Sequence, residues 1–103
     1  MAPKFADRQI GLVEVRQLFK VSSIGTIAGC FVLDGKVKRD AKVRVVRDGK
    51  EVIVAPIETL KIQKNDVKEV GKGFECGIKL KDFNDIKELD QFEILVTEQV
   101  VEL

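Results

Sequence analysis

The sequence predicts an all-β domain, a small closed barrel in preference to an open sandwich. Two observations in the chain make that prediction, and an absence supports it. Seven or eight apolar-alternating segments recur at the roughly 8–12-residue spacing of a barrel or sandwich. Tight-turn signals, above all Asp34-Gly35 and Asp48-Gly49, separate them. No segment sustains the 3.6-residue period of a helix. Closure is favoured because strands this short expose many unpaired edge groups, and a ring removes them.

The elements follow in order. Residues 11–21 (GLVEVRQLFKV) place Val13 and Val15 on one face with Glu14 between, a half-buried strand. Ser22 to Gly25 is a loop. Residues 27–33 are a nearly unbroken apolar strand, and Asp34-Gly35 is expected to close it as a hairpin, because such turns need positive φ. Residues 42–47 (KVRVVR) alternate cleanly and end at Asp48-Gly49. Their partner is 51–57, where Pro56 marks an edge or a bulge because it cannot donate to a ladder. A short strand is expected at 59–63 and a polar loop at 64–68. Residues 67–71 are compatible with one helical turn. Strands at 73–80 and 91–98 complete the domain. The expected division is a disordered or artificially added segment at 1–10, one domain over 11–98 and a tail at 99–103. Glycines near strand ends (Gly11, Gly29, Gly35, Gly73) suit the bends of a small barrel.

Composition narrows the function classes. The chain has 103 residues, 45% hydrophobic and 34% charged, with 18 Lys and Arg against 17 acids. That is the balance of a soluble globular domain. A net charge of +1 creates no global field to steer a polyanion, so any nucleic-acid surface must be local. No apolar run approaches the ~18 residues of a membrane span, and the Met1 start lacks a signal peptide's apolar stretch. A cytoplasmic location is expected. The two cysteines, Cys30 and Cys76, lie 46 positions apart, and histidine is absent. A zinc site would lack its usual ligands, and Ser-His-Asp or Cys-His catalysis is impossible. Phosphate-loop and dinucleotide fingerprints are missing as well. The cysteines are expected to be buried, unpaired thiols. No enzyme, metal or cofactor is expected.

The most informative stretch is 73–87, GFECGIKLKDFNDIK. Alternation puts Phe74, Cys76, Ile78 and Leu80 on a core face and Glu75, Gly77 and Lys79 on the other. An acid, a bare glycine and a lysine are an odd outer face, since a strand glycine often marks the close approach of a ligand or a backbone. Elsewhere, Lys36, Lys38, Arg39, Lys42, Arg44 and Arg47 form one basic region, and Lys61, Lys64 and Lys68 a second. They suit phosphates, although interspersed acids also suit solvated strand faces. The six Phe are expected mostly in the core. Phe31 and Leu33 point outward if Cys30 points inward, and then need a cover or a partner. Residues 84–87 suit local turn chemistry.

Three segments, GCFVLDGKVKRDAKVRVVRDG (29–49), TLKIQKNDVKEVGKGFECG (59–77) and FNDIKELDQFE (83–93), closely resemble the C-terminal domain of bacterial translation initiation factor 2. The likeness runs from about Gly11 to Val96. It implies a small closed six-stranded antiparallel β-barrel of the translation-factor domain-II type. It further implies a module that holds the formylmethionyl 3′ end of initiator tRNA and meets the ribosome through the full-length factor. Carried over position by position, the binding residues are Cys30, Lys61, Lys64, Glu75, Cys76 and Gly77. Ile62 and Gln63 stand where that family has an arginine and an aromatic, and Leu89 where it has a glycine. The resemblance implies a monomer without its own GTPase domain, and it makes Met1-Ala2-Pro3 a start placed before an excised domain. The alternative is a structural barrel that docks on the ribosome or a neighbouring domain through Phe31 and Leu33. More remote is a metabolic enzyme with a barrel of the flavin-reductase type, for which no catalytic group is visible.

Overall fold

The computed structural model describes the backbone of residues 4–100 and the side chains of residues 5–98. Eight antiparallel strands build it: β1 (Lys4–Val21), β2 (Gly25–Lys38), β3 (Lys42–Arg47), β4 (Lys50–Ile62), β5 (Asn65–Asp66), β6 (Glu69–Gly71), β7 (Glu75–Leu80) and β8 (Gln91–Val100). Six of them pair in the order β1-β8-β3-β4-β7-β2, and β2 returns to β1, so the sheet closes into a ring. The short β6 lies along the end of β2, and β5 along the end of β4. Inward residues such as Val13, Val43, Leu60, Ile78, Phe92 and Ile94 are fully buried inside it.

Closure depends on β1 serving two partners. Its first part pairs with β8, from Lys4↔Val100 to Glu14↔Gln91, and its second with β2, from Gly11↔Gly35 to Val21↔Gly25. Where the two regimes overlap, the backbones nearly touch. A Cβ on Gly11 would lie 2.1 Å from the Lys36 carbonyl oxygen, and one on Gly35 2.0 Å from that of Ile10. Only glycine fits there.

This contact explains the first departure from the sequence expectations. Asp34-Gly35 is not a hairpin: Gly35, at φ 65°, bends β2 as it leaves β1 and runs on beside β6. Asp48-Gly49 is the hairpin. Both residues have positive φ, 52° and 76°, as a two-residue type I′ turn requires. The expected strands 51–57 and 59–63 are one strand, β4, with a bulge between Ile57 and Thr59 where its partner changes from β3 to β7. Pro56 is the last residue paired with β3, and its carbonyl accepts the Lys81 amide at 2.9 Å. The possible helical turn at 67–71 is replaced by β6, because Val70 is buried opposite Val37. β1 begins at Lys4 rather than Gly11, because residues 4–10 extend the ladder to β8. The expectation about Met1-Ala2-Pro3 and the end of the 99–103 tail lie outside the described residues.

The segment between β7 and β8 is tied down by long-range bonds rather than local turn chemistry. The Asn84 side-chain oxygen accepts the Thr26 amide at 3.1 Å, 58 residues away. Asp90, 2% exposed, accepts two bonds from the Arg47 guanidinium, at 2.9 and 2.8 Å, and one from the Lys87 amide at 2.9 Å. Burial pushes its carboxyl up, but these donors and their charge outweigh that and hold it below the ordinary 3.8. Leu89 completes the turn at φ 70°. It donates its amide to Val15 at 2.8 Å, and Asp90 accepts from Val15 at 2.9 Å, which locks the turn onto β1. The backbone keeps a glycine-like conformation with a leucine in it.

Gly11→Ala is expected to cost at least ~3 kcal/mol, because backbone must move. Gly49→Ala, with nothing within 4 Å of the new methyl, should cost only about 1 kcal/mol of turn strain. Equal losses in denaturant titrations would show that the crossing is not tight. Leu89→Gly should stabilise by about 0.5–1 kcal/mol. It relieves ~1–2 kcal/mol of left-handed strain and returns part of that as glycine's freedom in the unfolded chain. The lost side chain is 74% exposed. A melting temperature that fails to rise would contradict this. Asp90→Asn should cost about 2–3 kcal/mol at neutral pH. A carboxyl held low in the fold stabilises fully above its ordinary value, and that contribution fades as pH falls through the folded one. The gap between wild type and variant should therefore close below pH 3.8; a pH-independent gap would exclude the charge.

Candidate functional site

The candidate site lies on the outer face of the ring, where β1, β2, β7 and β4 run side by side. Cys76, Ile78 and Leu80 of β7 point inward and are buried, so Glu75, Gly77 and Lys79 face outward. In register with Gly77 stand Gly29 of β2 on one side and Lys61 of β4 on the other. Two adjacent glycines leave a strip of backbone with no side chain above it. It floors a groove of about 770 Å³ whose walls include Arg16, Phe19, Ile27, Lys61, Phe74 and Glu75. Lys79 lies beyond this groove, largely buried, with its ammonium paired to the Glu58 carboxylate.

Five of the six sequence-predicted site residues line this groove: Cys30, Lys61, Glu75, Cys76 and Gly77. Lys64 does not; it sits in the exposed turn that follows β4, after Gln63 at φ 57°. Lys61 is half-buried, and among the described residues neither it nor Lys64 enters an ion pair. Glu75 is exposed, opposite Phe31. Cys30 and Cys76 are direct partners across β2 and β7, yet both are buried and free. The Cys30 thiol donates to the Ala28 carbonyl at 3.3 Å. Burial pushes Cys30 well above the ordinary thiol value, with a smaller effect from Cys76, and raises Cys76 to about 11. Both are therefore neutral thiols at physiological pH and not nucleophiles.

Two wall residues escape sequence reasoning. Phe74, expected in the core, is 62% exposed, and Phe19 is 51% exposed; of the six Phe only Phe92 is fully buried. Each has a backbone cause. In β1, Val15 pairs with Cys30 and Gln17 with Gly29, which leaves Arg16 as an extra bulged residue. The bulge shifts the alternation by one. Leu18 then pairs with the inward Ala28, and Phe19 with the outward Ile27. Phe74 precedes β7 and follows Gly73 at φ 88°, whose turn breaks the alternation that would have taken the ring inside. Gly29 was legible, as a glycine inside a strand; the bulge was not.

The other candidates are occupied. Phe31 and Leu33 are half-buried, and the Arg16 guanidinium lies 4.4 Å from the Phe31 ring centre, a cation–π cover. Arg44 pairs with Glu51 and Glu93, Arg47 with Asp90, Lys42 with Asp7 and Lys36 with Glu69. Much of the basic middle of the chain thus serves the strands themselves.

The chain is 55% identical over 98 residues to the translation initiation factor IF-2 of Anoxybacillus flavithermus. It is 53% identical to those of Geobacillus stearothermophilus and Listeria monocytogenes over the same length. These matches cover 95% of this chain and 13–14% of the relatives' own length. Among the described residues, no helix is long and apolar enough to cross a membrane. Residues 25–88, more than half of the chain, match the family described as elongation factor Tu domain 2. On that match, and with a closed all-β ring to carry it, the chain belongs to the elongation factor Tu domain 2 family.

Proposed function

We propose that this chain is the C-terminal, initiator-tRNA-binding domain of a cytoplasmic bacterial translation initiation factor. On this reading it holds the formylmethionyl 3′ end in the outer groove and acts on the ribosome within the full-length GTPase. The row Gly29–Gly77–Lys61 carries the reading. A short 3′ end bearing one amino acid offers a neutral formamide, an apolar thioether side chain, ribose hydroxyls and a few phosphates. A bare floor admits the ester closely, the apolar walls suit the methionyl chain, Lys61 suits a phosphate and Glu75 a ribose hydroxyl. With neutral thiols and no histidine, the chemistry is binding rather than catalysis.

The geometry suggests how a formyl group is preferred. Gly77 pairs with strands on both sides, so its backbone is largely engaged in ladders. Selection then rests on desolvation: a free aminoacyl amine is cationic and loses its hydration on this floor at a cost of several kcal/mol, whereas a formamide is neutral. Glu75 would favour the wrong ligand if it met the amine, so its carboxylate belongs on the ribose.

Titration of the domain with formylated and unformylated initiator tRNA, followed by amide chemical shifts, tests this. Shifts should cluster at β2, β7 and the end of β4, with the formylated ligand tighter. Gly77→Val should remove binding and keep the fold, since a Cβ there meets only Ile27 Cγ2 at 3.4 Å and the Lys61 carbonyl at 3.9 Å. Lys61→Ala should lower the salt slope by about 0.7–0.9, and Lys64→Ala by less. Normal binding by the valine variant, or equal affinity for both ligands, would refute the assignment.

A further inference from the structure

We infer that Phe19 and Phe74 are the stacking residues of the groove and take the planar base of the terminal nucleoside. This deepens the tRNA reading above and rests on it. Both rings line the same groove and are 51% and 62% exposed, although the ring interior buries Phe92 completely. Neither exposure follows from simple strand alternation. The Arg16 bulge turns Phe19 outward, and the left-handed Gly73 precedes the outward Phe74. Bulges re-aim side chains and are enriched beside functional sites. Here two unrelated backbone irregularities, on β1 and ahead of β7, deliver an aromatic to one groove.

The surroundings suit a base. Phe19 packs over bare backbone: a Cβ on Gly29 would lie 3.1 Å from Phe19 Cε2, so Gly29 leaves the ring room to lie low against β2. Arg16 is held over Phe31 at the same rim, within the groove lining, where a phosphate or ribose next to a stacked base would lie. The chain has no Trp or Tyr. Among the described residues Phe5 is the one other strongly exposed aromatic, and it does not line the groove. A base stacks on any aromatic face, and that contact is lost when the ring becomes aliphatic.

The test uses two small probes with this chain and with Phe19→Leu and Phe74→Leu. Formylmethionyl-adenosine carries the base, and N-formylmethionine methyl ester does not. Both substitutions are at exposed positions, and an unchanged amide map in the unliganded variants verifies the fold. Wild type should bind the adenosine probe with upfield ring-current shifts of the adenine protons. Each leucine variant should weaken that binding about five- to ten-fold and reduce those shifts, with affinity for the methyl ester unchanged. Variants that bind the adenosine probe like wild type would overturn the stacking assignment. So would variants that lose both probes equally, since the rings would then hold the methionyl chain. If wild type binds formylated initiator tRNA but shows no upfield adenine shifts, stacking fails and the groove's assignment stands. If it binds neither tRNA nor probe, both fail.

Discussion

The contact between Gly11 and Gly35 is the constraint on which the rest of the structure depends. A six-strand ring needs one strand to leave one neighbour and take another, and β1 does so at this point. The two backbones approach so closely that neither residue can carry a Cβ. Without this crossing, the second half of β1 would not lie against β2. The outer groove would then lose the wall that carries Arg16, Gln17 and Phe19. Fold closure and the candidate site are therefore one geometric fact seen from inside and outside.

The same economy governs the strand phases. A closed ring has one interior, and every long strand must keep its apolar residues aimed at it while twisting and changing partners. β1 and β4 manage this with bulges at the places where pairing shifts. At Arg16 the slip brings Leu18 inward and sends Phe19 out. Keeping a phenylalanine half in water forgoes roughly 1 kcal/mol or more of burial, and a second sits at Phe74. Stability alone gives no reason for two such residues on one groove, whereas ligand contact does. The Arg47–Asp90 pair works in the other direction. It removes a buried carboxylate and a cation from any surface role and fastens the turn before β8 to β1 through Val15.

Most strand identities were legible because alternation is a local property: 42–47 and 91–98 announce their inner faces without knowledge of their partners. The resemblance to translation initiation factor 2 likewise brought Lys61, Glu75 and Gly77 to one face. Legibility ended where a local signal has two physical uses. Asp34-Gly35 and Asp48-Gly49 are the same dipeptide, yet one bends a strand past a neighbouring backbone and the other makes a hairpin; only the tertiary crossing decides. Phe19 and Phe74 fit a core pattern until a bulge or a left-handed glycine shifts the phase. Asn84 has the composition of a turn but bonds to Thr26 far away. Leu89 shows the converse, since tertiary bonds to Val15 and the Asp90 clamp impose a backbone conformation that its side chain disfavours.

The charge distribution places a final condition on how such a groove binds RNA. With a net charge of +1 and with Arg44, Arg47, Lys42 and Lys36 engaged in ion pairs, long-range attraction for a polyanion is weak. Lys61 remains as a cation in the groove that is not paired within the described chain. Affinity for a 3′ end must then come mostly from short-range terms: close approach over Gly29 and Gly77, burial of an apolar side chain and stacking of a base. Those terms discriminate among chemical groups better than they attract nucleic acid in general. A domain built this way is suited to inspecting the end of one tRNA, while neighbouring parts of a longer factor bring that end within reach.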